Sequence, residues 1–272
     1  MAVGKVITPG LPFSNVVASG IATAKITPGR TLEGILLELG GTTFAYSNIT
    51  LIRVKANAKV IMEMTGAQAQ ALLNYDGLTF PATVLPIMFA AIEGRDLVDE
   101  MIGAFDTSQG VASITIEVTI SGATSPTLAM HLIESAAQGS AASTVMKKVL
   151  RYPWNVSSGG QLPVDIPFGP NNGAIVKRLH VFYGVASNLT EAVVKENGVV
   201  VYDTLSSVAQ AFNQLYKKSN QSNCFTIDFV PDDNMKNAMD TTQDKSLSLL
   251  LTFGAADSGY VVAEYLDTLG NL

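Results

Sequence analysis

Short runs in which apolar and polar residues alternate dominate this chain. SITIEVTI (113–120) and SLSLLLTF (246–253) have the period of two that buries one face of a strand and leaves the other wet. Similar runs, bounded by Gly, Pro, Asn and Ser, predict strands near 21–27, 33–40, 49–55, 58–64, 84–92, 111–121 and 127–134. The second half continues with strands near 145–154, 162–167, 174–184, 192–196, 199–204, 223–230, 246–254 and 260–267. Helical segments interrupt the strands at GAQAQALLNY (66–75), RDLVDEMIGAF (95–105), SSVAQAFNQLY (206–216) and DDNMKNAM (232–239).

The pattern is written twice. NITLIRVKANAKV (48–60) returns as NLTEAVVKENGVV (188–200). Sliding the chain by 140 residues aligns 15–89 with 155–229 without a gap and gives 19 identities in 75 positions, where about five are expected by chance. Beyond this stretch the offset shortens to 134, where DTSQ (106–109) meets DTTQ (240–243), and then to 133 at the pair of alternating strands quoted above. Length changes belong in surface loops, so a duplicated domain is expected to show this behaviour. The expected domains are 1–135 and 136–272, joined through the small-residue stretch ESAAQGSAAST (134–144).

Seven or eight antiparallel strands per copy, with helices confined to connections, describe an all-β jelly roll: two facing four-stranded sheets. The predicted fold is therefore two tandem eight-stranded jelly rolls with short helices in loops. Asn57-Ala58 and Asn197-Gly198 sit between paired strands and are predicted hairpin turns. Asn-Gly suits a type I′ turn, in which both central residues need positive φ, and Ala58 makes the first turn less ideal.

Composition narrows the function. With 47% hydrophobic and 15% charged residues the chain fills a core rather than remaining disordered. A net charge of -6 argues against a general phosphate-binding surface, so no direct nucleic-acid partner is expected. The mean hydropathy of +0.29 suggests apolar surface buried against other chains. No run approaches the ~20 apolar residues of a membrane-spanning helix, and MAVGKVITPGLPF lacks the apolar run of a signal peptide.

Candidate chemistry is sparse. The two histidines, His131 and His180, occupy non-equivalent positions, and no HExxH, CxxC, GxSxG, P-loop or GxGxxG occurs, so no enzyme is expected. Cys224, between apolar neighbours, is expected to be a small buried hydrophobe. Asp228, Asp232, Asp233, Asp240 and Asp244 gather in the second copy, where Asp232 and Asp233 read as helix caps ahead of a metal cluster. Asn48, Asn155 and Asn188 begin formal glycosylation triplets that are better read as turns. Lys147, Lys148, Arg151, Tyr152 and Trp154 form the one basic and aromatic cluster, either a solvated strand face or a patch facing anionic lipid or a neighbouring subunit.

Several segments resemble one family. SAAQGSAASTVMKKVLR (135–151), LPVDIPFGPNNGAIVKRLHV (162–181), NGVVVYDTL (197–205), CFTIDFVPDDNMKNAM (224–239) and VVAEYLDTLG (261–270) are similar to the double jelly-roll coat proteins of corticovirus-like phages. In the first copy the resemblance rests on layout and on segments such as IATAKITPG (21–29). Those phages are tailless, icosahedral and enclose a membrane. The resemblance implies a major capsid protein whose homotrimers form pseudo-hexagonal capsomers tiling an icosahedral shell. It further implies contacts with neighbouring capsomers, the internal membrane and minor capsid or vertex proteins, assembly in the host bacterial cytoplasm, a place in the virion, and no cofactor beyond structural calcium. Read without that resemblance, two β-sandwich modules also suit a carbohydrate-binding protein, and tandem barrels suit a bicupin enzyme, although two scattered histidines argue against the latter.

Overall fold

The computed structural model describes residues 4–92, 94, 100–138, 145–170 and 175–268. These divide into two compact units. One holds the chain up to Leu73 and from Leu78 to Lys148; the other holds Asn74–Gly77 and Val149–Asp267.

In the first unit β1 (Val6–Pro9), β9 (Thr127–Ser135), β3 (Thr31–Gly40) and β6 (Val84–Met88) form one sheet in that order, with short β7 (Phe105–Asp106) also on β3. The facing sheet runs β5 (Lys59–Met64), β4 (Ile49–Ala56), β8 (Ile114–Ile120), β2 (Gly20–Ile26). Strict alternation along β8 sends Ile114, Ile116, Val118 and Ile120 inward and leaves the residues between them half-buried. β3 is apolar almost throughout, and Leu32, Ile35, Leu37 and Leu39 are buried.

The second unit repeats this order strand for strand. β10 (Val145–Val156), which enters the unit at Val149, is followed by β18 (Asp257–Thr268), β12 (Ile175–Tyr183) and β15 (Cys224–Asp228), with β16 (Met239–Asp240) on β12. Opposite them lie β14 (Val199–Leu205), β13 (Leu189–Glu196), β17 (Leu247–Phe253) and β11 (Gly160–Val164). Leu179, Val181, Val194, Leu251, Val261 and Tyr265 contribute to its core. A helix follows the fifth strand in each copy: α1 (Gly66–Tyr75) and α2 (Ser206–Leu215). The fold is thus a double jelly roll of antiparallel sheets.

Strand register corrects the gapless alignment. Gly20 pairs with Ile120 and Gly160 with Phe253, and Lys55 pairs with Val60 as Lys195 does with Val200, so the offset is 140 in both places. Between them β3 and β12 are displaced. Ile35 pairs with Ile87 and Leu179 with Ile227, and a register shift follows Leu32 in one and Val176 in the other. Ile35 therefore corresponds to Leu179, an offset of 144. The second copy has four extra residues before β12 and four fewer after it. Two compensating length changes restored the offset and hid themselves from an ungapped comparison.

Other expectations shift locally. β1, β7 and β16 went unread because two to four residues carry too little periodicity, and β1 also contains Pro9. In the segment 232–239 the expected helix is replaced by a 3-10 turn, Met235–Asn237, and the start of β16 at Met239, because Asp233 adopts φ 60 and interrupts any helix there. Most of the expected helix 95–105 lies outside the described residues; Phe105 at its end belongs to β7.

Candidate assembly surface

The repeated fragment builds the same corner twice. Ala56 pairs with Lys59 and Glu196 with Val199, leaving Asn57-Ala58 and Asn197-Gly198 as two-residue loops. Both residues of each loop have positive φ: 48° and 68° in the first, 50° and 82° in the second. Each asparagine also clamps the connection that enters the eighth strand of its copy. Asn57 Oδ1 accepts from Ala112 N at 2.8 Å, and its Nδ2 donates to Gly110 O at 2.7 Å. Asn197 Oδ1 accepts from Lys245 N at 2.8 Å, and its Nδ2 donates to Asp244 Oδ1 at 2.8 Å. Asn197→Val or Gly198→Val removes the clamp or the permitted φ and is expected to cost about 1–3 kcal/mol. Thermal melting checks this, and an unchanged Tm contradicts it.

Asn48 and Asn188 do matching work at the other end of the fragment. Asn48 holds Ala45 N and Ser121 O, and Asn188 holds Ala255 N and Ala255 O. Asn188 also donates to Asp257 Oδ2 at 3.1 Å, beside the backbone N–H of Val185 at 3.0 Å. Burial would raise the Asp257 carboxyl, but hydrogen bonds from Val185, Asn188, Ser258 and Gly184 outweigh it and hold the pKa below its ordinary value. A carboxylate depressed in the folded state stabilises at pH above its unfolded pKa and loses that contribution as pH falls through the folded value. Asp257→Asn is expected to flatten the acid limb of stability against pH, read by urea unfolding between about pH 2 and 6. An identical acid limb in the variant contradicts this.

After the second hairpin the two copies diverge in exposure. Both copies carry the same bulge, with Val194 opposite Tyr202 and Lys195 opposite Val200 in β14 and Val54 opposite Met62 and Lys55 opposite Val60 in β5, so Val201 and Ile61 are the extra residues, yet only Val201 is exposed. Val201 is 43% exposed, and Val199, Val200 and Leu205 are exposed beside it. α2 continues this surface. Val208, Phe212 and Leu215 follow helical spacing on one face, yet Phe212 is 42% and Leu215 80% exposed, while the inward face offers Ala209 and Asn213. The corresponding side chains of the first copy, Ile61, Gln68 and Leu72, are buried. One face of the jelly roll is thus closed in the first copy and open and apolar in the second.

A groove of about 550 Å³ runs along this open face, lined by Tyr202, Val208, Phe212, Tyr216, Phe229 and Pro231 among others, with Asp203, Asp232 and Asn237 at hand. Desolvation pushes the Tyr202 hydroxyl up to about 12. Contiguous apolar surface of this kind marks a contact with another macromolecule.

The basic cluster does not form one surface. Trp154 is 6% exposed and stacks on Phe253 with ring centroids 4.4 Å apart, and Lys148 is buried. Alternation along β10 separates neighbours such as Lys147 and Lys148 onto opposite faces. Lys147 and Tyr152 are half-buried, and the Arg151 guanidinium lies 3.8 Å over the Tyr260 ring.

The acidic residues also separate. Asp232 caps its local turn by accepting from Asn234 N, and Asp240 accepts from Thr242 N. Asp228 and Asp233 instead belong to a buried ionic network in the second unit. Arg178, fully buried, donates through Nε to Asp228 Oδ2 at 2.9 Å, through Nη1 to Asp76 Oδ2 at 3.0 Å and through Nη2 to Asp233 Oδ1 at 3.1 Å. Lys218 Nζ reaches Asp233 Oδ1 at 2.6 Å and Asp76 Oδ1 at 3.0 Å, and Tyr75 donates to Asp228 Oδ2 at 3.0 Å. Burial and the Arg178 charge pull Lys218 down, but Asp76 and Asp233 outweigh them and hold it above its ordinary value. His180 lies next to this network, 2.9 Å from both Glu264 Oε1 and Thr226 Oγ1. Cys224 is buried, which pushes its thiol up to about 12.

Among the described residues no group of three or more His, Cys, Asp or Glu side chains converges as a metal site. No described helix is long and apolar enough to cross a membrane.

No curated protein matches the sequence. The solved structure of the major capsid protein P2 of bacteriophage PM2 superposes with a TM-score of 0.85 at 19% identity, covering 97% of each chain. A chain in the atomic structure of Sulfolobus Turreted Icosahedral Virus gives 0.72 at 15% identity, covering 98% of this chain and 92% of the other. The PBCV-1 virus capsid gives 0.63 at 10%, covering 98% and 92%. At these identities the likeness establishes the shared fold. Family membership comes from sequence models: the viral coat protein P2 N-terminal domain matches residues 7–138 and its C-terminal domain 146–269. Those two matches take in nearly the whole chain, which therefore belongs to the viral coat protein P2 family and is a viral capsid protein of the virion.

Proposed function

We propose that this chain is the major capsid protein of a tailless, membrane-containing icosahedral bacteriophage and works by self-assembly rather than catalysis. Three copies close into a ring, and their six similar barrels give a pseudo-hexagonal capsomer that tiles a shell. The observation that carries this is the open apolar face of β14 and α2, whose counterpart in the first copy is buried. The same face of the fold is therefore exposed and apolar in the second copy, where it is free for a contact between chains. The recurrence of strand order supports a gene duplication at the origin of the two halves.

Neighbouring capsomers, minor vertex proteins and the enclosed membrane are the partners this role requires, with assembly in the bacterial cytoplasm. Nothing favours carbohydrate binding, since the one tryptophan is packed inside against Phe253. Negative-stain electron microscopy of the purified chain tests the proposal. Particles with a roughly hexagonal outline are expected, and a field of isolated single chains overturns it.

A further inference from the structure

The exposed large apolar side chains are not scattered evenly. One group, Val199 to Tyr216, lies on the second unit, and another, Ile7, Leu11, Val17 and Ile21, lies on the first. Ile7 is 63% and Leu11 51% exposed. Both groups lie at sheet ends: β14 ends its sheet in the second unit, and β1 and β2 end the two sheets of the first, where Ser14 bridges to Thr23 of β2 and leaves β1 as the open edge. Charge differs between them in a complementary sense. Lys25 and Arg30 line a groove of about 450 Å³ beside Pro9 and Leu11, whereas Asp203 and Asp232 line the groove on the β14–α2 face. Opposite charges at two apolar edges set partner and register.

Two unlike surfaces are what a head-to-tail ring requires, while a two-fold dimer would need only one, self-complementary. Resting on the capsomer proposed above, we infer that the β14–α2 face of one copy docks on the β1 edge and the Leu11 segment of a second copy. Pro9 has no N–H to extend a ladder from that edge. The contact is therefore made by side chains, with Lys25 and Arg30 of one copy facing Asp203 and Asp232 of the next.

Cysteine cross-linking of the full chain tests this. Ile7→Cys and Val201→Cys are introduced together, and Leu11→Cys with Leu205→Cys gives a second pair in case the first is poorly aligned. All four positions are exposed, and the native Cys224 is buried and unreactive. Oxidation of at least one double variant is expected to yield covalent dimers and trimers on denaturing gels, while each single variant stays at chain mass. If light scattering shows a trimer but neither pair cross-links, the docking faces are wrong and the capsomer stands. A single variant that dimerises alone overturns the head-to-tail arrangement. A monomer in light scattering overturns both.

Discussion

Phe212→Asp combined with Leu215→Arg is expected to leave a folded chain that no longer forms trimers. Leu215 is 80% exposed in the single chain and Phe212, 42% exposed, lies at the surface beside Tyr216, so the changes open no enclosed cavity, and surface changes of this kind usually stay within about 0.5 kcal/mol of parent stability. The contact between chains is a different matter. Aromatic and aliphatic anchors at the centre of an interface contribute about 2 kcal/mol or more each on truncation. Losing two weakens association by about 4 kcal/mol, nearly a thousandfold in dissociation constant. Buried unpaired charge adds to that loss. Val185→Asp, an exposed apolar position outside both groups, is the control and should assemble normally. A double variant with parent Tm and parent mass would falsify the assignment of this face.

Arg178→Ala acts on the fold itself. Its guanidinium engages three carboxylates through three nitrogens, and its removal leaves Asp76 and Asp233 to Lys218 and takes the Arg178 charge away from buried Asp228, which the Tyr75 hydroxyl still reaches. Breaking a buried ion pair from one side costs about 3–5 kcal/mol, because the remaining charges stay desolvated. That is a large share of the stability of a domain this size. Arg178→Lys restores little, since a single ammonium cannot supply the planar fork. Urea unfolding followed by circular dichroism measures the effect, and a loss below about 1 kcal/mol contradicts the network's structural role.

The pattern of alternation was sufficient to find the longer strands because each jelly roll buries one face of each sheet, and a period of two records that directly. The helices 66–75 and 206–216 were legible for a similar reason, lying at equivalent points of a repeated text. Other features left weaker marks. β12's displacement was invisible because an insertion and a deletion of equal length cancel in the offset. Arg178 looked like any charged residue in VKRLHV; its partners lie at Asp76 and Asp233, far along the chain, and only the fold brings them together. The basic cluster misled because neighbours along a strand alternate between its two faces, so residues close in sequence on β10 do not share one surface.

The assembling face did leave a signal that strand counting passed over. Val199, Val200 and Val201 are consecutive on a strand that ends its sheet, so they cannot all enter one core. Val208, Phe212 and Leu215 make an apolar stripe opposite Ala209 and Asn213, and large side chains on the outer face with small ones within invert the usual pattern of a surface helix. Together with a mean hydropathy of +0.29, these positions point outward to another chain.

Light scattering on the purified chain at micromolar concentration tests the central claim most directly. A trimeric capsomer has three times the 28.7 kDa chain mass, and that is the particle expected. A stable species at the mass of one chain contradicts it.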